Sequence, residues 1–166
     1  MANQLAAGDA GVDGNLGIYH QLNDIQNIVV RIKNRLLKRN TRAALAESRE
    51  FNRRISTQTY VVDYIGIPKF IAGHPNVELP EIRNINLQAA YEIGDLPPPN
   101  LLPSNDAAFA ALKAKRQNLA TLRTRMRTIQ WFYNDPQLGS MLNEDATRDD
   151  CRDFVDTLKH YIKFQL

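Results

Sequence analysis

Apolar residues recur along the first third of the chain with the period of a helix. Ile18, Leu22, Ile25, Val29, Ile32 and Leu36 follow one another at alternating steps of four and three, which keeps them on a single face. Ile28, Val30 and Leu37 widen that stripe and leave a narrow polar strip at His20, Asn27, Asn34 and Thr41. So broad an apolar surface predicts a helix enclosed on several sides, with more to bury than a two-stranded coiled coil would cover. The phase slips by one residue at Leu36 and Leu37, and Ala44, Ser48, Phe51 and Ile55 carry it on, with Asn40 and Thr41 as the candidate break.

The rhythm disappears between Thr57 and Pro103. Pro68, Pro75, Pro80, Pro97 to Pro99 and Pro103 exclude long helices there, because proline lacks the amide donor and clashes with the preceding turn. Apolar residues stay frequent (Ile67, Phe70, Ile71, Val77, Leu79, Ile82, Ile85 and Leu87). The stretch therefore reads as an extended arm laid over the helices or over a neighbouring subunit, with Tyr60 to Ile65 as a strand or helical end and Asn86 to Ile93 as a short helix. "PSNDAAFAAL" then offers Ser104 or Asn105 as a cap for a helix whose face carries Leu112, Leu119, Leu122, Met126, Ile129 and Tyr133, ending near Asn134. A last helix is expected to start near Thr147 with Asp150 as its capping-box partner, burying Cys151, Phe154, Val155, Leu158, Tyr161 and Ile162. The fold class is thus mainly α: a bundle of three to four helices with a long, proline-containing extended central arm. One helical domain spans 1–166, with 1–15 as a flexible tail of Gly, Ala, Asp and Asn and 57–103 as the arm.

Charge changes this picture because it is uneven. Arg31 to Arg54 holds nine Lys or Arg against two acids, and Lys113 to Arg127 holds six against none. Asp135 to Asp156 reverses the balance, with seven acids against two bases. Arg31, Lys38, Arg39, Arg42, Lys113, Arg116, Arg123 and Arg127 are the candidate contacts for phosphate or for an acidic partner. Arginine outnumbers lysine fourteen to seven, which suits planar carboxylate or phosphate contacts. Asp149, Asp153 and Asp156 share one helical face, opposite Phe154, Leu158 and Ile162, and are the candidate inter-subunit acidic face, expected to find partners on another subunit or on the arm.

Candidate chemistry narrows the reading mainly by exclusion. The chain carries no Gly-rich phosphate loop, no G-x-S-x-G and no H-E-x-x-H. His20, His74 and His160 fall on three different elements, and four serines and one cysteine leave few nucleophiles. No catalytic, cofactor-binding or metal-ligating residue is assigned, and no cofactor is expected. Trp131, Phe132 and Tyr133 cannot form one stacking platform, since consecutive helical residues point about 100° apart. The single Cys151 rules out an internal disulfide, and no apolar run approaches a membrane span of roughly 18 residues. A soluble, intracellular or virion setting follows as the expectation. The reading these features support first is a non-enzymatic structural or assembly subunit, such as a coat or scaffold component or an adaptor, acting as a homo-oligomer or within a larger protein assembly. A sequence-nonspecific nucleic-acid binder is second, and an enzyme of unrecognised type third.

Overall fold

The computed structural model describes residues 10–55, 62–75, 91–114 and 116–164. The protein is mainly helical, with four α-helices and no strand among those residues: α1 (Ala10–Ile55), α2 (Asp106–Lys113), α3 (Leu119–Tyr133) and α4 (Arg148–Lys163), with a 3-10 turn at Pro136–Leu138. The chain divides into two compact units, 1–37 and 38–166. Helix α1 begins in the first and ends in the second.

α1 is continuous, without the break expected at Asn40 and Thr41. No Gly or Pro occurs between Ile18 and Ile55, and Asn and Thr each cost less than about 0.7 kcal/mol in a helix interior. Its first turn lies inside the segment expected to be a tail, while residues 1–9 fall outside the described set.

Within the first unit, the helix exists as the periodicity predicts, but it is not enclosed. Ile18, Leu22, Ile25, Val29, Ile32 and Leu36 are each between 50% and 57% exposed. Period alone reports which residues share a face; it does not supply the partner that covers them.

The second unit holds the core. Helix α4 packs against α2, α3 and the 3-10 turn, and Phe109, Leu112, Leu122, Met126, Ile129, Phe132, Tyr133, Val155, Leu158 and Ile162 interlock there. α4 is built as its sequence dictates. Thr147 accepts from the amide of Asp150 while the Asp150 carboxylate accepts from that of Thr147, and every residue of the expected apolar face is buried. The helix expected after Asp106 is instead two. Asn105 caps α2 through the amide of Ala108, and Asn118 caps α3 through the amides of Ala120 and Thr121. This second capping side chain starts a new helix beyond the end of α2. Asn134, in the left-handed region at φ 48°, ends α3 where expected.

The described parts of the expected arm are irregular, and Tyr64 and Ile65 belong to neither a strand nor a helix. Residues 62–75 run antiparallel to 91–104: the amide of Tyr64 donates to the carbonyl of Ser104, that of Lys69 to Asp95, that of Gly94 to Lys69 and that of Gly73 to Tyr91. Ile67, Leu101 and Pro103 are buried in the core. Tyr91 to Ile93 are not helical, and the remainder of the short helix expected at 86–93 lies outside the described residues.

Candidate interaction surfaces

The first surface is the exposed stripe of α1. Steps of four and three put Ile18, Ile25 and Ile32 at one recurring position of a seven-residue repeat and Leu22, Val29 and Leu36 at the other. Tyr19, Ile28 and Val30 flank it and are 52% to 70% exposed. With nine large apolar side chains roughly half exposed, the helix offers on the order of 800 Å² of apolar surface, about what one partner contributes to a standard protein interface.

The second is a cleft of about 720 Å³ in the second unit, lined among others by Arg42, Arg49, Arg53, Phe70, Asp135 and Lys163. Its charges are largely spoken for. Arg53 and Arg54 grip Glu50 at 2.8–2.9 Å, and those hydrogen bonds, Arg53's first, hold the Glu50 carboxyl below its ordinary range. Asp135 accepts from the Tyr161 hydroxyl at 2.9 Å. Arg49 is 7% exposed; its Nε donates to the carbonyl of Tyr161 at 2.9 Å and its guanidinium lies 4.8 Å from the Tyr161 ring centre. Burial pushes its pKa down. Arg42 is exposed and lies 5.3 Å from the centre of the Phe70 ring.

The candidate basic residues are divided among several elements. Arg31, Lys38, Arg39 and Arg42 are exposed along α1. Lys113 ends α2 and the exposed Arg116 lies before Asn118, the cap of α3, which carries Arg123 and Arg127. Arg123 donates to the carbonyls of Glu144 and Ala146, and the buried Arg127 reaches Glu144 at 3.4 Å. Lys113 grips Asp156 at 2.6 and 2.8 Å, so this acid finds its base within the chain, contrary to the expected partner on another subunit or the arm. Asp149 likewise pairs with Arg152, one turn away on α4, at 3.0 Å, while Asp153 is exposed. The fork of a guanidinium matches a carbonyl-lined loop as well as it matches phosphate. That accounts for much of the arginine excess: Arg125 donates to Asn100 and Leu101, Arg148 to Gln117 and Arg152 to Lys113.

Asn52, Arg49 and Lys69 are buried polar residues that the sequence reading did not single out, and all three serve the ends of helices, whose last carbonyls have no intrahelical donor. Asn52, fully buried, donates to Ile162 at 3.1 Å and to Ile65 at 3.0 Å and accepts from the Ile65 amide at 2.8 Å. Arg49 serves Tyr161 on the same last turn of α4. Lys69, fully buried, donates to the carbonyl of Phe132 at the end of α3. Burial pulls its pKa down to about 8, against the opposing charges of Asp95 and Asp135. Only Lys69 carried a signal, as a lone charge within the apolar run "IGIPKFIA". Asp106, at the head of α2, gathers the Tyr64 hydroxyl at 2.6 Å, Lys159 at 2.8 Å and Lys163 at 3.0 Å. Burial alone would raise its pKa, but hydrogen bonds from Lys159, Tyr64 and Lys163 outweigh it and bring the carboxyl down to about 2.

The Trp131, Phe132 and Tyr133 rings are buried, with His74 stacked on Trp131 at 4.2 Å, so none presents a free face. Cys151 is buried, and burial raises its thiol. Among the described residues no group of three or more His, Cys, Asp or Glu is placed to hold a metal ion, and no helix is long and apolar enough to cross a membrane. Comparison with protein-family models, with curated proteins and with solved structures finds no match to this chain.

Proposed function

We propose that the protein is a non-enzymatic structural or assembly subunit that works through protein–protein contacts, with residues 18–36 of α1 as its contact face. The observation that carries this reading is the exposure of six regularly spaced seam residues, each at least half open to solvent. Monomeric soluble proteins rarely leave a contiguous apolar patch above roughly 300–600 Å² uncovered, and larger ones mark contact sites. The inward use of arginine in the second unit supports the same reading, because those guanidinium groups hold the chain's own carbonyls.

The test is a photo-crosslinking residue introduced at Ile25, on the seam, and separately at Asn27, on the polar strip, in the cell the protein comes from. A protein adduct at position 25 and none at 27 is the expected result. Absence of any protein adduct at 25 overturns the reading.

Exposed Arg31, Lys33 and Arg35 in the first unit, and Lys38, Arg39 and Arg42 in the second, favour a second reading, in which the chain contacts phosphate without reading sequence. Six such contacts on duplex DNA imply a log–log salt slope of roughly −5. A titration with single- and double-stranded nucleic acid that finds no binding at about 50 mM salt removes this second reading.

A further inference from the structure

The residue choice along the seam of α1 says what covers it. Coiled coils place one set of knobs three residues before the next and four after it, and call the two positions a and d. In this chain the a positions are Leu22, Val29 and Leu36, and the d positions are Ile18, Ile25 and Ile32. β-Branched residues at a with leucine at d favour two strands, whereas leucine at a with isoleucine at d moves the preference to three or four. Every d position here is isoleucine, and two of the three a positions are leucine.

Two of the six flanking positions agree with that count. A two-stranded seam leaves the neighbouring e and g positions at the rim, while more strands draw them inward. Ile28 occupies g and Tyr19 occupies e, and both are more than half exposed. In a parallel register g of one copy faces e of the next repeat in its neighbour. Those pairs are Gln21 with Gln26, Ile28 with Lys33 and Arg35 with Asn40, so no two like charges meet. The next d position after Ile32 is Arg39, which ends the seam.

We infer that residues 18–36 associate with the same residues of other copies as a parallel coiled coil of three or four chains. This rests on the reading of that stretch as a protein-contact face. Each copy gives on the order of 800 Å² of apolar surface to it, the size of one side of a stable interface.

Sedimentation equilibrium of the full chain from about 1 to about 100 μM tests the inference, since obligate assemblies respond to concentration. The expected species has three or four times the 18.9 kDa chain mass. A monomer or a dimer overturns it. Exchanging the knobs, with Leu22→Ile and Leu36→Ile together with Ile18→Leu, Ile25→Leu and Ile32→Leu, is expected to shift the mass to that of two chains. An exchanged variant that keeps the parent mass overturns the inference. Near-ultraviolet circular dichroism of Trp131 reports that the second unit stays folded in these conservative variants. Oxidised Ile32→Cys is expected to link copies through position 32, because identical residues meet in a parallel layer; absence of that link overturns the parallel register. Should the chain be monomeric while Ile25 crosslinks to a different protein, the copy-to-copy inference fails and the assembly reading stands.

Discussion

The two ends of α1 invert the usual distribution of side chains. From Ile18 to Leu36 the helix keeps its apolar residues at the surface, and from Thr41 to Ile55 it buries polar ones: Thr41, Ser48, Arg49 and Asn52 are all less than 10% exposed. The buried Thr41, Ser48 and Ile55 keep the seven-residue phase of His20, Asn27 and Asn34, the polar strip of the first stretch. A polar face is worth burying only where its groups find partners: Asn52 gives donors to the Ile162 and Ile65 carbonyls and accepts from the Ile65 amide, while Arg49 meets the Tyr161 carbonyl through Nε and leaves Nη2 without a hydrogen bond. An apolar face needs only cover, without a particular partner geometry. Polarity therefore states what a face requires, and the surroundings decide whether it is buried.

The strongest way to break this contrast is at Asn52. Asn52→Ala leaves the Ile65 amide, the Ile65 carbonyl and the Ile162 carbonyl without their partner. At about 1 kcal/mol or more for each group stranded, unit-two stability should fall by about 3 kcal/mol. Urea unfolding followed by the fluorescence of Trp131, the sole tryptophan and 5% exposed, measures it. A loss below about 1 kcal/mol would show that water replaces the amide and that the polar face is not structurally required.

Lys69 tests the same principle through pH. Its folded pKa of about 8 lies below the unfolded value of 10.5. Between those values the unfolded chain holds the extra proton, so stability should rise with pH, by at most about 3 kcal/mol. Tyr133 and Tyr161 act in the opposite sense. Burial lifts both hydroxyls above their ordinary value, so stability falls once the pH passes about 10, where unfolded tyrosines ionise first. A stability maximum between about pH 8 and pH 10 in wild type, absent in Lys69→Met, is the expected result of urea titrations across that range. A rise that persists in the variant would assign it to another group.

Arg49→Lys should cost about 1.5 kcal/mol by the same measurement, because an ammonium cannot hold the Tyr161 carbonyl and cover the Tyr161 ring with one planar group. Equal stability of the two proteins would mean the charge alone matters. On the acid side, Asp106 contributes stability above its unfolded pKa of 3.8 that is lost as the pH falls towards about 2. Its side chain is 43% exposed, so solvent screening reduces the effect to about 1 kcal/mol. Asp106→Asn should flatten the acid limb of the stability curve by that amount, and an unchanged limb would assign acid unfolding to other carboxylates.

These residues also mark how far the sequence could be read. α4 was legible throughout, because Thr147, Asp150 and six apolar positions all point to one answer. α1 was legible as a helix but not in its surroundings. The division between α2 and α3 was hidden because Asn118 looks like an ordinary helical residue until its side chain is seen to cap the next turn. Arg49, Asn52 and Arg125 gave no local signal, since the carbonyls they serve lie 13 to 112 residues away. Of the basic residues close together in sequence, Lys113 closes α2 while Arg123 and Arg127 belong to α3, and each bonds to a residue 17 to 43 positions away.

The smallest predicted effect falls on the most hydrophobic stretch. Ile25 sits at the centre of the seam and is 57% exposed. Ile25→Ser exchanges two residues of similar helix propensity, within a few tenths of a kcal/mol. Ile25 belongs to the first unit, so the stability of the second unit read by Trp131 should change by less than about 0.5 kcal/mol. Substituting a buried asparagine would then cost several times more than substituting a central isoleucine of the same helix. A loss above about 1.5 kcal/mol at Ile25 would mean that the cover of the seam is coupled to the folding of the second unit.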